Sequence, residues 1–82
     1  MAQDTQRLFR LTRADEPGAE IIGTMAPTES RDGYVLIVET PGGLRVEFND
    51  HGKGMTVADV HAQADWFKGT VTQNGWHDAD AN

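Results

Sequence analysis

The sequence predicts an α+β fold, in which an antiparallel sheet of about four strands carries one amphipathic helix packed on one face. The strongly β-forming segment YVLIVET is followed by the turn sequence PGG and by the alternating segment LRVEFND, which is typical of a hairpin. A polar loop with two glycines then leads into TVADVHAQADWFK, whose apolar residues recur at helical spacing. Two shorter apolar segments near the N-terminus flank ADEPG, a turn-forming sequence.

The two N-terminal strands are predicted over 7–13 and 20–26. Residues 4–13 also fit a short helix, because Leu8 and Leu11 lie three positions apart. The turn-forming segment 14–18 favours the strand instead. Gly23, inside the second strand, indicates either a bulge or the close approach of another group to the backbone.

The central hairpin is predicted over 34–40 and 44–49. Both faces of its first strand are apolar, which is typical of a strand in the middle of a sheet. The turn length decides the register, because a two-residue turn places Val35 on the face of Val46, whereas a three-residue turn places Leu36 there. The sequence leaves both registers open, and we favour the three-residue turn because it buries more apolar surface. It requires a positive φ at Gly42 or Gly43.

The helix is predicted over 57–68. Thr56 is suited to cap its N-terminus, Asp59 to interact with the positive end of its dipole, and Gly69 to end it. At about 100° per residue, four apolar side chains form one stripe. This stripe, expected to pack on the sheet, consists of Val57, Val60, Ala64 and Phe67.

Trp66 lies off this stripe, roughly opposite Val57. In one interpretation the C-terminal segment folds back over Trp66, with a short strand at 70–73 and a turn at 74–75, so that Trp66 and Trp76 form a small separate cluster. In the other, Trp66 faces solvent and is available to a partner. We favour the buried arrangement, and in either case expect the surface around Asp59, Ala62 and Trp66 to be the contact surface.

The length of 82 residues predicts a single domain over 1–82, with 77–82 as a flexible tail. The chain has no cysteine, which excludes disulfides and thiolate metal sites. Its N-terminus has no apolar core of a secretory signal, and the longest apolar run, 34–38, is too short to span a bilayer. These features predict a cytoplasmic protein without a membrane partner.

The net charge of −6 argues against direct nucleic-acid binding, because an acidic field repels phosphate groups. The residues offer no catalytic or cofactor motif either. The three histidines have no compact ligand spacing, segment 52–54 lacks the remaining positions of a phosphate-binding loop, and Ser30 is the only serine. We therefore predict no metal, no cofactor and no enzymatic activity.

Binding to another protein is the function that these exclusions favour. We expect a small acidic inhibitor or adaptor that occupies a basic surface of its partner, which a nucleic-acid-binding complex would provide. The partner-binding residues are predicted to be Trp66, Asp59, Glu47 and Asp50. Many phage-encoded inhibitors, among them the anti-CRISPR proteins, are similar in size and charge and also lack catalytic motifs, although no motif links the chain to them.

Two alternatives remain open at the level of the sequence. The chain could be a structural or assembly subunit that forms a homodimer or larger homo-oligomer, which would compensate for a small core. It could also be a small ligand-binding or enzymatic domain that uses the loop 49–55.

Overall fold

The computed structural model describes residues 5–79 and confirms the α+β class, with one helix packed against an antiparallel sheet. The sheet has five strands, whereas the sequence predicted about four. The elements in chain order are β1 (Gln6–Thr12), β2 (Glu20–Pro27), β3 (Tyr34–Glu39), β4 (Arg45–Phe48), α1 (Val57–Thr72) and β5 (His77–Asp78). The sequence left residues 4–13 open between strand and helix. Gln6–Thr12 form the strand β1, and Asp4 lies outside the described residues.

The strands are arranged in the order β4-β3-β2-β1-β5, so that β4 forms one edge and β5 the other. The additional strand β5 pairs antiparallel with β1, and the Ala79 N–H donates to the Arg10 carbonyl at 2.8 Å. The sequence predicted a flexible tail over 77–82, but His77 and Asp78 form a strand. Residues 80–82 lie outside the described residues. A two-residue strand is too short to show the alternation by which a strand is predicted from sequence. Whether it pairs with β1 depends on where the end of α1 places the chain.

The central hairpin has the three-residue turn that the sequence favoured. Leu36 lies opposite Phe48, and the Thr40 N–H donates to the Leu44 carbonyl at 2.9 Å. Gly42 and Gly43 have φ values of 90° and 83°, a region that side chains other than glycine rarely adopt. The predicted positive φ in this turn is thus confirmed at both glycines.

The core lies between the sheet and α1, and the prediction of the helix stripe is confirmed except at its first residue. Val60 and Ala64 are buried, and Phe67 packs against the core, but Val57 is 43% exposed. Val57 is the first residue of α1, before the helix reaches the sheet, whereas Val71 one turn beyond Phe67 packs on the core instead. The buried core residues include Phe9, Leu11, Ile21, Met25, Leu36, Val38, Val60, Ala64 and Trp76.

Gly23 provides the close approach that its place in a strand predicted. A Cβ atom added to Gly23 would lie 2.2 Å from Cε2 of Phe9, whose ring therefore rests directly on the glycine backbone. The register of β1 against β2 shifts between Arg7 and Phe9, which leaves Leu8 as the extra residue of a bulge. Phe67 stacks on Phe9 from above, with ring centroids 5.8 Å apart.

The helix runs further than the sequence predicted. Its N-terminus is capped as expected, since the Asp59 N–H donates to Oγ1 of Thr56 at 3.1 Å. At the C-terminus, however, α1 continues through Gly69 to Thr72, so both the stop at Gly69 and the strand at 70–73 were wrong. Packing of Val71 on the core extends the helix by about one turn, and tertiary packing of this kind overrides the weak preference of glycine.

The left-handed glycine that follows α1 is Gly75, with a φ of 94°, and not Gly69. The turn predicted at Asn74 and Gly75 is present, and the Asn74 N–H donates to the Val71 carbonyl at 2.9 Å. Lys68 then meets Asp78 of β5, with Nζ 3.2 Å from the carboxylate. The longer helix thus places the chain where it can add β5 to the sheet.

Gly69→Ala should stabilise the protein by about 0.5–1 kcal/mol, because alanine is the better residue in a helix interior. A Cβ at Gly69 would meet no atom within 4 Å, and the residue has no positive φ to lose. Urea unfolding followed by circular dichroism measures the difference. A loss of stability would show that α1 does not continue through this position in solution.

The strand side chains on the sheet face opposite α1, here called the open face, carry no net charge. Paired residues of an antiparallel sheet point to the same side, so the backbone register assigns its members directly. Across residues 5–79 its charged strand side chains are three arginines and three glutamates, namely Arg7, Arg10, Arg45, Glu20, Glu39 and Glu47. The net charge of −6 therefore lies on the rest of the chain.

Candidate functional site

Trp66 faces solvent, with 62% of its surface exposed. The favoured prediction, in which the C-terminal segment covers it, was wrong. Trp76 is instead 9% exposed within the main core, where the Arg13 guanidinium lies 5.3 Å from the centre of its ring. The two tryptophans cannot cluster, because Trp76 directly precedes β5 at one edge of the sheet, whereas Trp66 lines a groove beside the end of β4 at the other edge.

This groove, here called the Trp66 groove, lies between α1 and the loop that follows β4. Its volume is about 490 Å³. One wall is a flank of α1 with Asp59 and Trp66, and the other wall is formed by Asp50 and Met55. The full set of lining residues is Asn49, Asp50, Met55, Asp59, Ala62, Gln63 and Trp66. An exposed aromatic surface thus lies between carboxylates contributed by two different elements.

The loop wall is a small hairpin of its own. Asp50 and Lys53 exchange two backbone hydrogen bonds of 2.9 Å across a two-residue turn. His51 and Gly52 in that turn have φ values of 51° and 86°, the positive signs that a type I′ turn requires. Asn49 stabilises the turn by accepting a hydrogen bond from the Gly52 N–H at 2.8 Å on its Oδ1. The position of Asp50 in the groove therefore follows from local backbone bonding.

The chain then returns to the sheet at Met55. Met55 and Tyr34 exchange two backbone hydrogen bonds, of 2.7 and 2.8 Å, so Met55 continues the line of β4 alongside β3. Gly54 crosses Gly33 so closely that a Cβ added to Gly54 would lie 2.6 Å from the Gly33 Cα. The loop thus leaves the edge of the sheet after Phe48 and rejoins it at Met55.

Asp32 links the loop between β2 and β3 to the crossing of Gly33 and Gly54. Its carboxylate accepts hydrogen bonds from the hydroxyls of Thr28 at 2.6 Å and Ser30 at 3.0 Å, and from the Gly54 N–H at 3.4 Å. These donors, with Thr28 the strongest, hold the pKa of Asp32 below its usual value.

The lowered pKa of Asp32 predicts a loss of stability in acid. A carboxyl group with a lower pKa in the folded state stabilises the fold above its unfolded pKa, near 3.8, and this contribution disappears as the pH falls through the folded pKa. We expect the unfolding free energy of Asp32→Asn to depend less on pH below about pH 4 than that of the parent chain. Urea titrations at several pH values test this, and identical pH dependence of the two proteins would contradict it.

Three of the four sequence-predicted site residues meet in the Trp66 groove: Asp50, Asp59 and Trp66. Glu47 does not, because the alternation of β4 turns it to the open face, where it lines a second cavity of about 620 Å³ and accepts a hydrogen bond from Asn49 Nδ2 at 3.0 Å. Sequence reasoning missed Met55 as a groove residue. Its position after two glycines indicated only a loop, and nothing in the pattern showed that the loop returns to β3.

The groove offers an exposed indole face at Trp66 and carboxylate oxygens of Asp50 and Asp59 that can accept hydrogen bonds. Residues 5–79 hold no group of three or more acidic or histidine side chains that is arranged to bind a metal ion. His51, which follows Asp50 in the hairpin turn, has its Nδ1 3.9 Å from the Asp50 carboxylate. In this part of the chain, no helix has both the length and the apolar character needed to cross a bilayer.

Comparison of the chain with protein-family models, with curated proteins and with solved structures finds no significant match.

Proposed function

We propose that this protein is a protein-binding domain that receives a positively charged segment of its partner in the Trp66 groove. The observation that supports this most directly is the exposed Trp66, which lies beside two carboxylates in a concave surface. Large aromatic side chains anchor many protein interfaces, because they bury much surface at a small loss of side-chain entropy. An arginine or lysine of the partner would stack on the indole face while Asp50 and Asp59 accept its hydrogen bonds.

The distribution of charge supports the same choice of partner. The open face is neutral, so the excess of acidic residues lies on the helix side and in the loops, including both walls of the groove. A field of one sign steers oppositely charged surfaces during encounter and repels acidic ones. Association with the partner should therefore slow as salt is raised, with a smaller effect on dissociation.

A random peptide library displayed on phage provides a direct test with a defined probe. Selection on the immobilised protein should enrich peptides rich in arginine and lysine. The control is Trp66→Ala, which should leave the unfolding free energy within about 0.5 kcal/mol of the parent, because the side chain is exposed. The same substitution should weaken binding of the enriched peptides by about 2 kcal/mol.

Two results would contradict the proposal. One is the enrichment of acidic or uncharged peptides, and the other is equal binding of the enriched peptides by the parent and by the double variant Asp59→Asn with Trp66→Ala. A marked loss of stability in Trp66→Ala would instead show that the side chain contributes to the fold.

A narrower form of the proposal is an inhibitor that covers a nucleic-acid-binding surface, as a phage-encoded inhibitor of host defence of the anti-CRISPR type would do. Size and acidic charge support it, since carboxylates can occupy positions that phosphates otherwise take. Once a partner is identified, competition with its nucleic acid decides the matter. Simultaneous binding of the protein and the nucleic acid would exclude this form and leave an adaptor.

A further inference from the structure

We propose that β4 pairs with β4 of a second copy of this chain, antiparallel and with Val46 on the two-fold axis, to give a sheet that continues through both subunits. None of the residues 44–48 lines the Trp66 groove, and this pairing does not depend on the function proposed for the groove.

The backbone of β4 offers the hydrogen-bonding groups for such a pairing. In an antiparallel ladder, residues alternate between those bonded to the neighbouring strand and those whose N–H and C=O groups point away. The carbonyl of Leu44, just before β4, accepts a bond from the N–H of Thr40, just after β3, so the alternation bonds Val46 and Phe48 to β3 as well. The N–H and C=O groups of Arg45 and Glu47 consequently point outward from the edge.

The outward groups allow three registers between two antiparallel copies of β4. Arg45 can lie opposite Arg45, Glu47 opposite Glu47, or Arg45 opposite Glu47. Like charges directly opposite each other destabilise a strand pair, whereas opposite charges stabilise it. The third register is therefore selected, and its symmetry forms the Arg45–Glu47 pair twice, on either side of a central Val46.

The apolar side chains of β4 and of Leu44, which directly precedes it, give a second reason for the pairing. Val46 is 36% exposed and Leu44 is 61% exposed, although both belong to the sheet face that α1 covers. In the selected register the two Val46 side chains meet, and Leu44 of each copy lies opposite Phe48 of the other. Paired residues point to the same side of a sheet, so both helices lie on one side and flank this apolar strip.

The pattern fits a second copy better than an unrelated strand. Arg45 and Glu47 are arranged symmetrically about Val46, so the strand is complementary to itself in charge, in outward hydrogen bonds and in apolar surface. The open face to which these two side chains belong is neutral, so the joined sheets do not repel each other across that face. Edge strands are commonly protected by charged side chains, above all lysine, by proline, by bulges or by a covering segment. β4 has neither lysine nor proline, and its two charges are of opposite sign.

A single cysteine tests both the pairing and its register, because the chain has no cysteine of its own. Residues at a pair without ladder hydrogen bonds have Cα atoms about 4.5 Å apart, which is compatible with a disulfide. Val46→Cys should oxidise to a covalent dimer about tenfold faster or more than Ala58→Cys, an exposed control on α1, because pairing raises the local thiol concentration. Equal rates would overturn the register.

Charge exchange provides a test without a cross-link. Light scattering should give the parent chain a mass of about twice 9.0 kDa at submillimolar concentration. Arg45→Glu and Glu47→Arg, each alone, should weaken association about tenfold or more, and the double variant, which restores opposite charges, should recover it. A parent chain that stays at 9.0 kDa up to about 1 mM, or a double variant no better than the single ones, would overturn the proposal.

Discussion

Gly23→Ala should lower the free energy of unfolding by about 2 kcal/mol or more, an unusually large effect for the addition of one methyl group. The added Cβ would lie 2.2 Å from Cε2 and 2.3 Å from Cζ of Phe9, far inside van der Waals contact. Phe9 cannot move away freely, because Phe67 stacks on it and only 1% of Phe9 is exposed. Chemical denaturation with circular dichroism detection measures the loss.

The origin of this loss can be isolated with a second substitution. Phe9→Leu removes the ring atoms that the new methyl group would meet. In the double variant, the cost of Gly23→Ala should therefore fall well below its cost in the parent chain, which is a favourable coupling between the two positions. Costs that simply add would mean that glycine is required for backbone conformation rather than for the ring above it.

Phe67→Ala should destabilise the protein by about 3 kcal/mol, a large share of the stability expected for a domain of this size. Phe67 joins both sides of the core, since it stacks on Phe9 at 5.8 Å and meets Phe48 edge to face at 6.1 Å between ring centroids. Removal of the Phe67 ring would leave a cavity between α1 and the two strands that it contacts, β1 and β4. The measurement is again the denaturant midpoint, at constant slope.

The neighbouring tryptophan is the matched control for this experiment. Trp66 is also aromatic and lies on the same helix, but it is exposed, so Trp66→Ala should have little effect on stability. A Phe67→Ala variant that melts within a degree or two of the parent, or a Trp66→Ala variant that is equally destabilised, would show that the helix faces the sheet differently.

The fold was largely predictable because most of its elements have a strong local period. Alternation defined β4, a β-branched run defined β3, and apolar spacing with a Thr56 cap defined the start of α1. The end of α1 and the strand β5 were not predictable. Both depend on the packing of Val71 and on the pairing of two residues with β1, which are interactions between positions far apart in sequence.

The candidate site was predictable only in part. The helical period alone brought Asp59 and Trp66 to one flank of α1 and showed that Trp66 lies off the core stripe. The approach of Asp50 depends on a loop whose path is set by crossing backbones, and no periodic signal describes such a path. The exposure of Trp66 was misjudged because the sequence did not show which edge of the sheet receives the C-terminal segment.

The loop between Phe48 and Met55 forms one wall of the Trp66 groove but contributes little to the sheet between its two ends. Both ends of this loop are fixed by β3, and the Gly33–Gly54 crossing holds the returning end in place. Substitutions at 50–53 therefore change one wall of the groove while the sheet and its core keep their interactions. If the Trp66 groove binds a partner as proposed, exchange of this short hairpin would alter the ligand that it selects, provided that the new sequence keeps a glycine at the left-handed position of Gly52.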